Sequence, residues 1–213
     1  MGRGVFRTIV AGVSAFVLTS GALAASPSIT DYQAWLAQGR NAERVSLFEA
    51  ELDARGLFGL VPTHQILRTA LSWKECGAEP YELPDPATWE GAFGSLRVLR
   101  DEIIPAVGDV EIVSGYRHQH LNTCAGGASK SVHRQFGAFD GYVTGISRGQ
   151  MVAKLCDWHS RRGAALEAGL GIYRGTKFHI DVGIRGNRRW GSNYRANSSP
   201  CNAGVGAVVA AQK

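Results

Sequence analysis

The chain has 213 residues, of which 45% are hydrophobic, and it carries a formal net charge of +5. This length suits one domain of ordinary size with a substantial hydrophobic core. The basic side chains form no block of like charge and do not alternate with aromatic residues, which argues against nucleic acid as a partner.

The first 24 residues have the features of a secretory signal peptide. Arg3 and Arg7 form a basic start, residues 9–18 are a short apolar stretch, and Ala24 is a small residue at a suitable cleavage point. The apolar stretch is too short to span a membrane as a helix. We expect cleavage after Ala24 or one residue later, with export to the periplasm and no stable membrane insertion. An uncleaved membrane anchor is the alternative.

Helices are predicted in the first half of the chain. Apolar side chains recur at helical spacing within residues 30–72, where Gly56 is placed to end one helix and Thr63 to cap the next. A further helix is predicted to begin at Asp85, which is followed by a proline at the first helical position, and to end at Pro105. The aromatic residues of this last helix are expected in the core.

The pattern changes to alternation in the second half of the chain. Strands are predicted over residues 109–115, 138–143 and 176–182, with a helix over residues 149–168. Helices followed by strands with one inserted helix are typical of the α+β class. We expect an α+β fold in which a small antiparallel sheet packs against helices, preceded by a helical extension over residues 25–75.

The chain contains four cysteines, Cys76, Cys124, Cys156 and Cys201. An even number of widely spaced cysteines in an exported chain predicts two disulfides. A zinc site made of cysteines is disfavoured because no CxxC pair is present. The spacing leaves all three pairings open.

Two short segments contain residues of the kind that bind metal ions. His133 and Asp140 lie in the first segment, and His179 and Asp181 lie in the second. Because side chains alternate along a strand, His179 and Asp181 are expected on one face, opposite the apolar face. His133, Asp140 and His179 form a set that zinc accepts while keeping one position open, as catalytic zinc does. Such an ion lowers the pKa of bound water and polarises a carbonyl group.

Arg117 follows the predicted strand 109–115, where its planar guanidinium could bind a carboxylate or an oxyanion. Together these motifs resemble those of the peptidase M15 group, the zinc D-Ala-D-Ala carboxypeptidases and related murein peptidases, which share a fold with the Hedgehog signalling domain. The matching residues, in the family's order, are Ser114-Gly-Tyr-Arg117, Ser131, His133, Ala138, Asp140 and His179. The resemblance covers roughly residues 70–191 and implies a zinc peptidase domain over residues 76–213.

The resemblance implies a Zn²⁺ ion bound by His133, Asp140 and His179, with Arg117 stabilising negative charge on the substrate or transition state. It also implies hydrolysis of peptide bonds that involve D-amino acids in peptidoglycan stem peptides. We therefore expect a periplasmic carboxypeptidase that acts as a monomer. The alternatives are a murein endopeptidase that cuts cross-links and a non-catalytic, zinc-containing module that binds the cell wall. A non-haem iron site is disfavoured, because His179 is the last histidine and the expected compartment is oxidising.

Two positions depart from the family pattern. Phe136 occupies a position where the motif has glycine, so the turn there is expected to be built differently. Thr176 stands three residues before His179, where many members have a carboxylate that acts as general base. Asp181 is the first candidate for this catalytic role because it shares a strand face with His179, although it could instead orient His179. Glu167 is the second candidate.

Overall fold

The structure is a computed structural model that describes residues 26–202. The predicted signal peptide of residues 1–24 lies outside the described residues. The α-helices are α1 (Ile29–Leu36), α2 (Asn41–Ala54), α3 (Thr63–Ile66), α4 (Trp89–Val98), α5 (Ile104–Val107), α6 (Gln119–Cys124) and α7 (Arg148–Arg162). The strands are β1 (Val110–Ser114), β2 (Ala138–Val143), β3 (Gly169–Ile172), β4 (Lys177–Asp181) and β5 (Arg188–Trp190).

The five strands form one sheet in the order β1-β2-β4-β3-β5. Neighbouring strands are antiparallel except β3 and β5, which pair in parallel. The α+β class is confirmed. The prediction of an antiparallel sheet is correct for β1 to β4 but not for β5. The sequence did not predict β3 or β5, because β3 is rich in glycine and β5 has only three residues.

The N-terminal helices are shorter than predicted. Ser28 caps α1 by exchanging hydrogen bonds with Asp31, and Gly56 follows α2 in the left-handed conformation expected of it. The prediction that helix extends to residue 72 is wrong, because α3 ends at Ile66 and Arg68 then pairs with Tyr81 in an isolated β-bridge. The predicted N-cap is also displaced by one position, since Thr63 is the first helical residue.

The next helical segment begins as predicted but ends later. Oδ1 of Asp85 accepts a hydrogen bond from the backbone N–H of Ala87 at 2.9 Å, which caps the 3-10 turn before α4. A π-helical stretch, Leu99–Ile103, then connects α4 to α5. Pro105 lies in the first turn of α5, directly after the π-helical stretch, rather than beyond the helix. A proline inside such a continuous helical segment removes one backbone hydrogen bond.

The predicted helix over residues 149–168 is α7, which ends at Arg162. Gly163 follows it, and Glu167 has a positive φ of 48° in the turn that leads to β3. The helix therefore ends six residues earlier than predicted, and a turn over residues 163–168 leads into β3 at Gly169. As a result β3 lies beside β4, the strand that contains His179.

The hydrophobic core joins the N-terminal helices to the sheet. Phe48 of α2 is fully buried, and its ring centroid lies 5.0 Å from that of Trp89 and 5.9 Å from that of Phe136. The ring centroid of Phe136 in turn lies 6.1 Å from that of Phe139 of β2. The helices therefore pack against the turn that leads to the metal-binding motif. The domain boundaries at residues 24 and 75 stay predictions.

Two disulfides are present, as predicted, and their pairing is Cys76–Cys124 and Cys156–Cys201. The first joins the loop after α3 to the end of α6. The second ties the segment after β5 to α7. Within residues 26–202, the helices lack the length and apolar character needed to cross a membrane.

Candidate metal centre

The pairing of β2 with β4 brings two of the predicted ligands together. Asp140 lies directly opposite His179 in the antiparallel register, and such pairs place their side chains on the same face of a sheet. Nδ1 of His179 lies 2.9 Å from Oδ1 of Asp140. The shared strand face of His179 and Asp181 is also confirmed, because these two side chains are hydrogen-bonded.

His133 comes to the same place from a 3-10 turn, Val132–Gln135, that precedes β2. Nδ1 of His133 is 2.6 Å from the carbonyl oxygen of Gly115, and a carbonyl can only accept, so this nitrogen carries the proton. The backbone N–H of Arg117 donates to the carbonyl of His133 at 3.1 Å. These bonds join the turn to the end of β1 and leave the lone pair of Nε2 of His133 directed at the other ligands.

His179 uses its two ring nitrogens in the opposite way to His133: its Nε2 is hydrogen-bonded to a neighbouring group, and its Nδ1 faces the other candidate ligands. Nε2 of His179 lies 2.8 Å from Oδ2 of Asp181, and the same oxygen accepts a hydrogen bond from Nη2 of Arg188 at 2.6 Å. Asp181 is fully buried. Because this ionised carboxylate accepts the proton on Nε2, it selects the tautomer in which Nδ1 of His179 has a free lone pair.

The three inward-facing atoms suit a metal ion in their spacing and in their chemistry. Nε2 of His133 lies 3.1 Å from Nδ1 of His179 and 3.4 Å from Oδ1 of Asp140. Tetrahedral zinc with bonds of about 2.0–2.1 Å separates its ligand atoms by about 3.3 Å. Three acceptor atoms at these distances repel one another unless a cation lies between them. His133, Asp140 and His179 are buried and form a group that can hold such an ion.

The charges around the site favour the protonation states that a metal requires of His133 and Asp140. Burial lowers the pKa of His133 to about 4, and the charge of Arg117 acts in the same direction. Burial alone would raise the pKa of Asp140, but His133, His179 and Arg117 hold it well below its usual value. His133 is therefore neutral and Asp140 ionised, as ligands must be. The pKa of His179 is raised despite burial by Asp140 and Asp181, so a metal ion that binds Nδ1 displaces a proton from it.

Arg117 lies beside the three candidate ligands, with Nη2 at 3.5 Å from Oδ2 of Asp140. Its side chain is 11% exposed, and Nε has no hydrogen-bond partner within the described part of the chain. The guanidinium therefore retains N–H donors that a bound anion could use.

The turn before β2 differs from the expectation raised by Phe136. This residue has a φ of 52° and a ψ of 25°, the left-handed conformation that glycine adopts most readily. The turn is thus the kind that a glycine would form, although we expected a different construction. The phenylalanine ring is completely buried between the helices and the sheet, and this burial offsets the strain of the backbone.

A cleft of about 400 Å³ opens beside the three ligands. Five positively charged side chains line it, and they are Arg117, Lys130, Lys177, Arg185 and Arg188. Its aromatic lining residues are Tyr173, Trp190 and Tyr194. Most of these residues were not among the predicted site residues, because they lie in separate loops and on the unpredicted β5. The available signal was that basic and aromatic residues are frequent in the segment 173–194.

Carboxylates are rare in this cleft. Among the described residues that line it, Asp140 has the only carboxylate. Asp181 lies behind His179, Thr176 is half-buried outside the lining, and Glu167 is exposed in the turn before β3. The structure therefore brings Arg117 together with the three predicted ligands, and it places Asp181 in contact with His179 rather than along the cleft.

An α+β fold with a buried His–Asp–His centre at the side of an open cleft defines a candidate metallohydrolase. The family model of peptidase M15 matches residues 90–181, a range that includes Arg117, His133, Asp140, His179 and Asp181. This match supports the assignment of the chain to the peptidase M15 family. No match was found among curated proteins or among solved structures.

Proposed function

We propose that this protein is a zinc-dependent peptidase that hydrolyses peptide bonds involving D-amino acids in peptidoglycan stem peptides, with the specificity of a D-Ala-D-Ala carboxypeptidase. The observation that supports it most strongly is the buried triangle of Nε2 of His133, Oδ1 of Asp140 and Nδ1 of His179. This triangle lies within the segment that matches the peptidase family.

The charge of the cleft supports an acidic substrate. Five cationic side chains line it, and Asp140 is the only acidic one among its described lining residues. A stem peptide that ends in D-Ala has a free carboxylate, which such a cleft would attract. Arg117 is the best placed of these cations to bind charge at the reacting group, because it lies 3.5 Å from Asp140.

His133, Asp140 and His179 would hold the zinc ion. When bound, zinc lowers the pKa of a water ligand and polarises the carbonyl group of the substrate. In the overall reaction, the oxygen of water bonds to the carbonyl carbon, the C–N bond breaks, and the departing nitrogen gains a proton. Arg117 would stabilise the negative charge that develops on the substrate while this happens.

The mechanism also needs a group that accepts a proton from water. Asp181 as general base stays a prediction. Its contact with Nε2 of His179 and its second bond to Arg188 favour the other predicted role, in which Asp181 orients His179. We therefore assign Asp181 a positioning role in this proposal.

We also propose that the protein is exported to the periplasm and acts there as a monomer. The two disulfides favour an oxidising compartment, where such bonds persist. Signal-peptide cleavage after Ala24 would be observed as a mature N-terminus at Ala25 when the secreted protein is sequenced by mass spectrometry.

One observation favours a second candidate function, a zinc-containing module that binds the cell wall without cutting it. Within residues 26–202, no carboxylate lines the cleft except the ligand Asp140. Peptidases of this type usually need a group that accepts a proton from water. A binding module has no such need.

The decisive experiment incubates zinc-loaded protein with muropeptides that end in D-Ala-D-Ala and with whole sacculi, followed by mass spectrometry of the products. Loss of one alanine supports the carboxypeptidase. Fewer cross-linked muropeptides after the treated sacculi are digested with a muramidase support an endopeptidase. Binding without any change in mass supports the module and contradicts the enzyme. Bound iron together with oxygen-dependent turnover would overturn the zinc assignment.

A further inference from the structure

The hydroxyl group of Tyr173 is held in the cleft with its proton unused. Nε1–H of Trp190 donates a hydrogen bond to the Tyr173 hydroxyl oxygen at 3.1 Å. Because an indole nitrogen can only donate, the hydroxyl must be the acceptor in this bond. Within residues 26–202 the proton of the hydroxyl has no protein acceptor. A phenol remains protonated at neutral pH, so this proton is available to a ligand.

Trp190 fixes the position of this hydroxyl relative to the metal centre. The centroid of its ring lies 5.0 Å from that of His179. Gly171 is paired with both His179 and Trp190 in the sheet, and a Cβ atom at this position would lie only 2.7 Å from the indole ring. The absence of a side chain at Gly171 thus lets the Trp190 ring approach His179, at an interplanar angle of 57°, while its N–H holds Tyr173.

The charged side chains of the cleft offer the hydroxyl proton no free acceptor. Arg117, Lys177 and Arg188 line the same cleft and are donors without acceptor capacity. The one carboxylate of the described lining, Asp140, is already bound to His179. The hydroxyl groups of Ser72, Ser114 and Ser131 also line the cleft but are not hydrogen-bonded to Tyr173. The proton of Tyr173 is thus free for water or for the substrate.

Peptide hydrolysis supplies such an acceptor. The carbonyl oxygen of the bond that is cut gains negative charge when water adds to the carbon, and hydrogen-bond donors held at that oxygen accelerate the reaction. A single donor of this kind contributes about 10²–10³-fold to kcat. Donors fixed in advance are the most effective, because they need no rearrangement during the reaction.

We propose that Tyr173 is a catalytic residue whose hydroxyl donates a hydrogen bond to the carbonyl oxygen of the scissile peptide bond, and that Trp190 is the positioning residue that aims it. This inference rests on the proposed peptidase function. The competing explanation is that Tyr173 and Trp190 only pack together and shape the cleft.

The test compares Tyr173→Phe with Tyr142→Phe, its control. Tyr142 is a half-buried tyrosine of β2 that does not belong to the lining of the cleft. With a D-Ala-D-Ala muropeptide as substrate, we expect Tyr173→Phe to lower kcat by about 10²-fold with little change in KM. Tyr142→Phe should retain the kcat of the wild type, and both variants should bind zinc in the wild-type ratio.

A second measurement does not depend on turnover. A phosphinate analogue of the D-Ala-D-Ala bond has a tetrahedral, anionic group that mimics the hydrated carbonyl. Isothermal titration calorimetry should show that Tyr173→Phe binds this analogue at least 10-fold more weakly than the wild type does. The product peptide lacks the tetrahedral group and should bind equally to both proteins. Trp190→Phe keeps a ring beside His179 but removes the N–H, so we expect an intermediate loss of kcat and of analogue affinity.

The outcomes separate this inference from the proposed function. Suppose that the wild-type protein cleaves the muropeptide and that Tyr173→Phe has the same kcat and the same affinity for the analogue. Tyr173 and Trp190 then only pack together, and this inference alone is overturned. A wild-type protein that neither cleaves the muropeptide nor binds the analogue would overturn the proposed function and this inference with it. If Tyr173→Phe is unstable, Trp190→Phe decides by the same two measurements.

Discussion

Asp181 accepts a hydrogen bond from Nε2 of His179 at 2.8 Å, on the side of the imidazole ring that faces away from His133 and Asp140. Arg188 donates to the same carboxylate oxygen at 2.6 Å. Burial by itself would raise the pKa of Asp181, but the bonds to His179 and Arg188 lower it, so the carboxylate stays ionised. This arrangement fixes which nitrogen of His179 is free to bind a metal.

Asp181→Asn separates an orienting role from a role as general base. If Asp181 orients His179, zinc affinity should fall by about 10–100-fold, and zinc saturation should restore most of kcat. If Asp181 is the base, zinc affinity should be retained while kcat is lost at every zinc concentration. Zinc titration by calorimetry and kcat at saturating zinc give the two values. Asp157→Asn, on the exposed face of α7, is the control and should change neither.

His133→Ala and His179→Ala should each abolish zinc binding and turnover together, because two ligands cannot hold the ion in a catalytic geometry. Metal content after dialysis, measured by mass spectrometry, checks the first effect. The rise in Tm on addition of zinc should also vanish, since that rise reports binding to the folded state. His120→Ala removes an exposed histidine outside the cleft and should keep both properties. Full zinc content in His133→Ala would contradict the ligand assignment.

Arg117→Lys should lower kcat/KM by about 10²-fold, although the positive charge is retained. The reason is that a lysine cannot reproduce the planar fork of the guanidinium. Steady-state kinetics with the D-Ala-D-Ala muropeptide measure the effect. Arg134→Lys is the matched control, since Arg134 is exposed and hydrogen-bonds only to a backbone carbonyl, that of Ser129. A wild-type value for Arg117→Lys would leave Arg117 as a structural partner of Asp140.

Phe136→Gly should destabilise the protein although it relieves backbone strain. Glycine removes a cost of about 1–3 kcal/mol for the left-handed conformation, but the loss of a buried phenylalanine costs about 3–5 kcal/mol. The net loss is roughly 2 kcal/mol in the free energy of unfolding, measured with urea. Phe136→Leu keeps most of the buried volume and should be the more stable of the two. The reverse order would mean that strain outweighs packing at this turn.

Glu82 should make stability depend on pH near neutrality. Burial raises the pKa of Glu82 to about 7, although Arg44 acts against this shift. The folded state therefore holds the proton more tightly than the unfolded chain, so this contribution to stability is complete below about pH 4.5 and is lost as pH rises through about 7. Glu82→Gln should stabilise the protein at pH 8 relative to wild type and have little effect at pH 4.5. Urea unfolding at both pH values gives the difference, and equal effects at both would contradict the assignment.

The parts of the fold that the sequence predicted well are those with strong local signals. Strand β2 matches the predicted residues 138–143, and the Asp85 cap is where it was expected, because alternation and capping depend on neighbouring residues. The errors occur where distant contacts override local preference. The chain leaves the predicted helix at Arg68 to pair with Tyr81, and β3 forms from a glycine-rich stretch because β4 lies beside it.

The sequence by itself determined the inventory of the centre. The two histidines, the aspartate and Arg117 could be chosen from motif order and spacing, and an even number of cysteines predicted two disulfides. Only the tertiary structure decided the pairing of those cysteines, the position of Asp181 behind His179, and the approach of Tyr173 and Trp190 to the cleft. These features depend on sheet register, which aligns residues that are far apart along the chain. A shift of one residue in that register would turn every side chain of a strand to the other face.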